Sequence, residues 1–305
     1  MKEIKQKSKI GKWSPSNISF TIFNYVLLTF LTLLCLYPML HVLFASVSDP
    51  TKLIAHQGVL LKPLGFTLSG YRLVFQDNSI LIGFKNTFLY VGIGTFLNMA
   101  LTIMGAYTLS RRDLMLKNAI MIVITITMFF GGGLIPWFLL MKQIGLYNNL
   151  LAMVLPTALN TWNMIILRTG FQSLPYELEE AAVIDGASQV KILTKVILPL
   201  SKPVLATIGL FAAIGYWNNW TNGLYYISDS NLYTIQVYLK RLMDNIAYLK
   251  SSNNMVESAS LAMKSLPTES ARMAIAIIAI IPILLVYPFI QKQLVKGMVI
   301  GGVKG

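Results

Sequence analysis

The 305-residue chain is 55% apolar and 12% charged, and its apolar residues fall in long runs instead of at amphipathic spacing; this excludes a soluble globular enzyme and marks an all-α polytopic membrane protein. The net charge of +13 is dispersed at the edges of those runs, so membrane topology accounts for it and no nucleic acid is implied. Cys35 stands alone, as do His41 and His56, which leaves neither a disulfide framework nor a metal-ligand cluster.

The predicted elements begin with a basic tail, 1–19, carrying Lys2, Lys5, Lys7, Lys9 and Lys12. The first apolar run, Phe20 to Ala45, is too long for a cleaved secretory signal. Further runs cover Thr87 to Leu109, Ala119 to Leu140, Leu150 to Leu167, Pro203 to Trp217 and Met273 to Ile290. The fifth falls short of the ~20 residues a spanning helix needs, and an extension into Asn218 to Asn222 is expected. These runs predict six transmembrane helices over 20–290, followed by a tail at 291–305. The Gly131-Gly132-Gly133 triplet in the third run fits either close helix packing or a hinge.

Lys and Arg cluster at the N-terminus, at Arg111, Arg112 and Lys117, at Arg168, Lys191, Lys195 and Lys202, and at Lys292, Lys296 and Lys304. With an even number of spans, all these clusters and both termini fall on the cytoplasmic side. The long external segments are then Ser46 to Asn86 and 218–272. The latter also carries Lys240, Arg241, Lys250 and Lys264, but long loops follow the charge rule poorly.

None of the six runs contains Asp, Glu, Lys or Arg. An ion-coupled secondary carrier usually needs such groups at membrane depth, and a membrane-embedded enzyme needs paired acid and base or metal groups. The free energy for transport is therefore expected from a partner outside the membrane, since the chain has no phosphate loop of its own.

Between the fourth and fifth runs lies a polar insert, 171–202. Pro175 suits a helix's first turn, and Glu177, Glu179 and Glu180 follow where acidic side chains favour the positive end of the helix dipole. Gly186 allows a change of direction, so two short helices at an angle are predicted. In the second, Val190, Leu193, Val196, Ile197 and Leu200 recur on one face, and Pro199 is expected to end it. Pro203 opens the next span, which ties the insert directly to a membrane helix.

The run Pro175 to Ala187 (PYELEEAAVIDGA), with Ile197 to Pro203 (ILPLSKP), resembles the EAA loop of binding-protein-dependent ABC importer permeases. Ala106 to Arg111 (AYTLSR), Tyr216 to Trp220 (YWNNW) and the C-terminal Val295 to Gly297 and Gly301 to Gly305 resemble the carbohydrate branch of that family. Gly131 to Pro136 (GGGLIP) is similar to permeases of the LplC/YtcP type, associated with complex oligosaccharides. Leu193 stands where many relatives have Phe. The resemblance implies that Glu180, Ala181, Ala182, Asp185, Gly186 and Ala187, with Leu198 and Pro199, dock a cytoplasmic ABC ATPase dimer. It further implies a homologous second permease completing the pore and an extracellular solute-binding lipoprotein delivering sugar. The chain would sit in a bacterial cell membrane among lipid and bind no cofactor itself, ATP and Mg being used by the partner ATPase.

For the substrate path, Asn98 and Thr102 (with Thr95) share one helical face, as do Asn160 and Asn163. Each stripe fits contact with a sugar or hydrogen bonding between helices. Trp217, Asn218 and Trp220 form a second set: indole faces cover a pyranose and amides bond its hydroxyls, while an interfacial aromatic belt explains the tryptophans equally.

Overall fold

The computed structural model describes residues 15–56, 58–76, 78–251 and 268–301. The basic tail before Pro15, the stretch 252–267 of the predicted external segment, and 302–305 lie outside the described residues. In chain order the helices are α1 (Pro15–Ser46), α2 (Pro50–Ala55), α3 (Ser69–Gln76), α4 (Asn78–Ser110), α5 (Lys117–Phe129), α6 (Leu134–Gln143), α7 (Leu151–Val154), α8 (Thr161–Gln172), α9 (Glu177–Ile184), α10 (Gln189–Ile192), α11 (Leu198–Leu200), α12 (Lys202–Trp217), α13 (Trp220–Tyr226), α14 (Ile235–Ser251) and α15 (Glu269–Gly301). Among the described residues no strand forms, only an isolated antiparallel bridge between Ser48 and Phe66.

Of these helices, α1, α4 and α15 are each long and apolar enough to cross a membrane, and two bent pairs would raise the number of spans to five. The predicted third run is one such pair. It breaks between α5 and α6 with a bend of 108°. Phe130 turns extended, and Gly133 takes φ +80°. Nothing lies within 4 Å of a Cβ built on Gly131 or Gly133, so the triplet forms the bend and makes no close helix contact among the described residues.

The predicted fourth run is divided as well. Pro156 sits in a 3-10 turn after α7, and Asn160 restarts the backbone as the N-cap of α8. A proline lacks the N–H that would continue the α7 ladder, and the asparagine side chain offers the next helix a better start. The fifth run also differs from expectation. It does not extend to Asn222: α12 stops at Trp217, and the Asn219 side chain caps a separate helix, α13.

Packing divides the chain into two units, Met1–Tyr71 with Pro267–Ile277, and Arg72–Leu266 with Ile278–Gly305. In the first, the turn after α1 is fixed by polar side chains. Ser46 Oγ lies 2.9 Å from Tyr71 Oη, Ser48 Oγ accepts from the Leu64 amide at 3.0 Å, and Asp49 caps α2 through Thr51 and Lys52. Most of α1's apolar side chains are exposed, Phe20 and Leu33 by 65% and 60%.

In the second unit, α4 is the central post and packs against α12 and α8. One cluster joins Leu109, Met164, Leu167, Phe171, Ile197 and Ile208, and the other joins Tyr90, Met141, Met153, Val154 and Tyr226. Between membrane helices such packing rests on close contact plus hydrogen bonds of about 0.6 kcal/mol each. At one end of α4, Asn86 Nδ2 donates to the Asn231 and Tyr233 carbonyls at 2.7 and 3.0 Å, and Thr87 Oγ1 accepts from the Ile235 amide at 3.0 Å. The segment after α13 is thereby pinned to that end.

Candidate functional site

The polar insert 171–202, named the coupling segment after the role proposed for it below, folds as two short helical pieces, as its sequence predicts. The helix α9 opens with Glu177, Glu179 and Glu180 in its first turn. It ends in a Schellman turn, the Gly186 amide donating to the Val183 carbonyl at 2.9 Å and the Ala187 amide to the Ala182 carbonyl at 3.0 Å. That geometry puts Gly186 at φ +71°, where residues with a Cβ are disfavoured. Ser188 then caps α10, accepting from the Lys191 amide at 3.4 Å.

The second piece departs from a regular helix. Leu193 to Ile197 form a π turn in which the Leu198 amide reaches the Leu193 carbonyl. Pro199 has no N–H to offer, and the wider turn takes up that missing donor before α11 stops at Leu200. The extra residue shifts the apolar face. Ile192 and Ile197 are buried, whereas Val190, expected on that face, is 71% exposed. The segment Gln189–Leu200 then meets the helical stretch from Lys202 at 87°.

Of the predicted docking residues, Glu180, Ala181, Asp185, Gly186 and Pro199 lie exposed. Ala182, Ala187 and Leu198 pack instead on the chain's own cluster with Ile192 and Ile197. Beside the tip, Ile184 is 85% exposed.

The segment is also fastened to the end of α4, a connection the sequence reading missed. Arg111 forms an ion pair with Glu179 of α9, and its Nη1 donates to Gln189 Oε1 of α10 at 2.6 Å. Arg111 Nε and Nη2 hold both oxygens of Asp113 at 2.9 and 3.1 Å, and Tyr107 Oη donates to Gln189 Oε1 at 2.9 Å. The Asp113 hydrogen bonds hold the Arg111 guanidinium protonated well above its ordinary value, and the same bonds hold the Asp113 carboxyl below the usual carboxylate range. Alongside, Arg168 Nε donates to the Leu109 carbonyl at 2.9 Å and Lys117 Nζ to the Arg111 carbonyl at 3.0 Å, capping the last turn of α4. Arg112 stacks over the Tyr176 ring at 4.3 Å. The only sequence signal was the arginine pair after α4 together with a third acidic residue in α9.

A cleft of about 230 Å³ opens between α4, α8 and α12, lined by the polar residues Asn98, Thr157, Asn160, Asn163, Tyr216 and Asn219 and by Phe211, Ala212 and Gly215. No charged side chain lines it. Asn98 is buried and donates through Nδ2 to the Thr157 carbonyl at 3.1 Å, while Thr102 Oγ1 makes a long 3.5 Å contact to Asn98 Oδ1. Asn160 Oδ1 caps α8 by accepting from the Asn163 amide at 3.0 Å. Asn219 uses Oδ1 on the Asn222 amide, and its buried Nδ2 has no partner among the described residues.

The structure thus brings Asn98, Asn160 and Asn163 together at one cleft, with Thr102 behind Asn98, and adds Thr157, Tyr216 and Asn219. It does not bring the second predicted set there. Trp217 is buried, donates from Nε1 to the Ala279 carbonyl at 3.2 Å and packs edge-on against Phe88. Its ring is committed to helix packing. Asn218 is the C-cap of α12, and Trp220 lies under Lys240, 5.3 Å from ring to Nζ.

The sequence profile described as binding-protein-dependent transport system inner membrane component matches residues 99–300, a stretch that takes in the end of α4 and the whole coupling segment. The chain belongs to that family. Members are ABC-transporter permeases, transport subunits without a catalytic site. The chain is 39% identical over 290 residues to the polygalacturonan/rhamnogalacturonan transport system permease protein YtcP of Bacillus subtilis (strain 168), covering 95% of this chain and 99% of the relative. It is 35% identical to Protein LplC of the same organism, over 94% and 95% of the two chains. A solved bacterial ABC transporter involved in import of the acidic polysaccharide alginate superposes with TM-score 0.81 at 33% identity, over 92% of this chain and 99% of that one. Both the family and the subgroup inferred from the residues are thereby confirmed.

Proposed function

We propose that this permease forms one half of the translocation path of an ATP-driven importer whose cargo is an oligosaccharide, its acidic class taken from the relatives and not from the uncharged cleft. The observation that carries the reading is the gathering of amides at one cleft: Asn98, Asn160, Asn163 and Asn219 face a common space, and Asn219 keeps an unpartnered buried donor there. Sugar hydroxyls pair with amides as both donor and acceptor, and a buried amide left without such a partner is costly. The relatives' named cargoes, alginate and polygalacturonan/rhamnogalacturonan, support the acidic class.

In this reading a homologous second permease closes the other half of the path, and an external solute-binding lipoprotein delivers the sugar. A dimer of ABC ATPases, using ATP and Mg, docks on the exposed part of Glu180 to Ala187. The chain is multi-pass in a bacterial cell membrane with both termini and the coupling segment on the cytoplasmic side. The test is to purify the chain with its co-expressed neighbours and measure ATP hydrolysis against neutral and acidic oligosaccharides. Stimulation by oligogalacturonate or a related acidic saccharide is expected. Uptake that survives loss of the ATPase and collapses with the ion gradient would overturn the reading.

A further inference from the structure

The geometry points to Arg111 as the positioning residue that transmits movement of the coupling segment to α4, by fastening both of its helices to the end of that post. This rests on the docking role proposed above. Covalent continuity carries movement of the segment only to its chain neighbours, α8 before it and α12 after it. The post that bears Asn98 is not among them. Apolar contact of Leu109 with Ile192 and Ile197 joins the two, but such contact is non-directional and permits sliding; the hydrogen bond from Tyr107 Oη to Gln189 Oε1 reaches α10 alone and leaves α9 untied.

Arg111 supplies a directional joint. One guanidinium meets Glu179 on α9 and Gln189, the first residue of α10, so it spans the turn at Gly186. Asp113 grips its other edge with two hydrogen bonds and sets the plane of the group. Five donors in a rigid fork make this possible, and a lysine ammonium offers no such plane. The acidic residues of α9 divide accordingly. Glu177 and Glu180 are exposed, while the Glu179 side chain is only 16% exposed and is turned to Arg111. From Arg111 the helix runs about 20 Å, at roughly 1.5 Å per residue, to Asn98 at the cleft.

The test uses the complex reconstituted with its ATPases in lipid. Spin labels replace Met115 and Val190, which are 84% and 71% exposed, and their separation is measured without nucleotide and with Mg·ATP. In the native background one narrow separation is expected in both states, because the segment and the end of α4 move together. In Arg111→Lys and Glu179→Gln it should broaden or shift with ATP, while oligogalacturonate moved per ATP hydrolysed falls at least tenfold. An unchanged separation in both single variants overturns the proposal, and so does loss of ATPase binding in Glu179→Gln, which would make Glu179 a docking residue. The separation needs no sugar. A complex that ignores every saccharide but shows the expected label response overturns only the substrate reading.

Discussion

The Tyr216 ring lies so close to Gly94 that a Cβ on the glycine would stand 2.5 Å from Tyr216 Cε1. This contact sets the approach of α12 to α4 and lets Tyr216 Oη donate to the Val154 carbonyl at 3.0 Å. Gly94→Ala should cost about 1–3 kcal/mol through overpacking, seen as a lowered Tm of the purified complex. Adding Tyr216→Leu should recover part of that loss, although the bond to Val154 is given up.

At the coupling tip, nothing lies within 4 Å of a Cβ on Gly186, yet its φ is +71°. Gly186→Ala should therefore cost about 1 kcal/mol of local strain without a clash. Gly186→Trp and Glu180→Lys should abolish uptake while membrane insertion and binding of the solute-binding protein stay intact. Normal uptake in both of the latter variants would defeat the docking assignment.

The cleft amides should separate by role. Asn98→Leu orphans the Thr157 carbonyl and should lower stability by about 0.5–1.5 kcal/mol, together with uptake. Asn163→Leu leaves the α8 cap intact, because that cap uses the Asn163 backbone amide. It should reduce sugar transport several-fold with assembly and Tm unchanged. Loss of assembly would make Asn163 a packing residue.

The Arg111–Asp113 pair has a definite pH sense. The Asp113 carboxyl is depressed in the folded chain, so its contribution is complete above the ordinary carboxylate value of about 4 and is withdrawn as pH falls through the lower folded value. Label separation near Arg111 should be flat from pH 8 to 5. Since Asp113 is 70% exposed, Asp113→Asn should cost less than about 1 kcal/mol.

Much of this was legible in the sequence. The apolar runs mark α1, α4 and α15 because each is long and the helix continues through Pro38, Pro282 and Pro288, and the pattern around Gly186 marks two helical pieces because a Schellman turn needs a residue tolerant of positive φ. Other features depend on choices that composition does not record. Pro199 marks the stop, and the helix does end at Leu200, but the π turn before it, which brings Ile192 inward and leaves Val190 outward, leaves no trace in the composition. By sequence Trp217 fits a sugar contact or an interfacial belt equally, yet its indole N–H finds the Ala279 carbonyl across more than sixty positions of chain. The bond from Arg111 to Glu179 joins residues 68 apart, beyond the reach of any periodicity.

The break between α5 and α6 bears on biogenesis. Their lengths of 13 and 10 residues amount to roughly 20 and 15 Å of helix at 1.5 Å per residue, against a hydrocarbon layer about 30 Å thick. Neither half reaches across the bilayer by itself, and only as a pair are they apolar and long enough for a span, so the two must enter the membrane as one bent unit whose peptide groups at the break need water or a neighbouring helix.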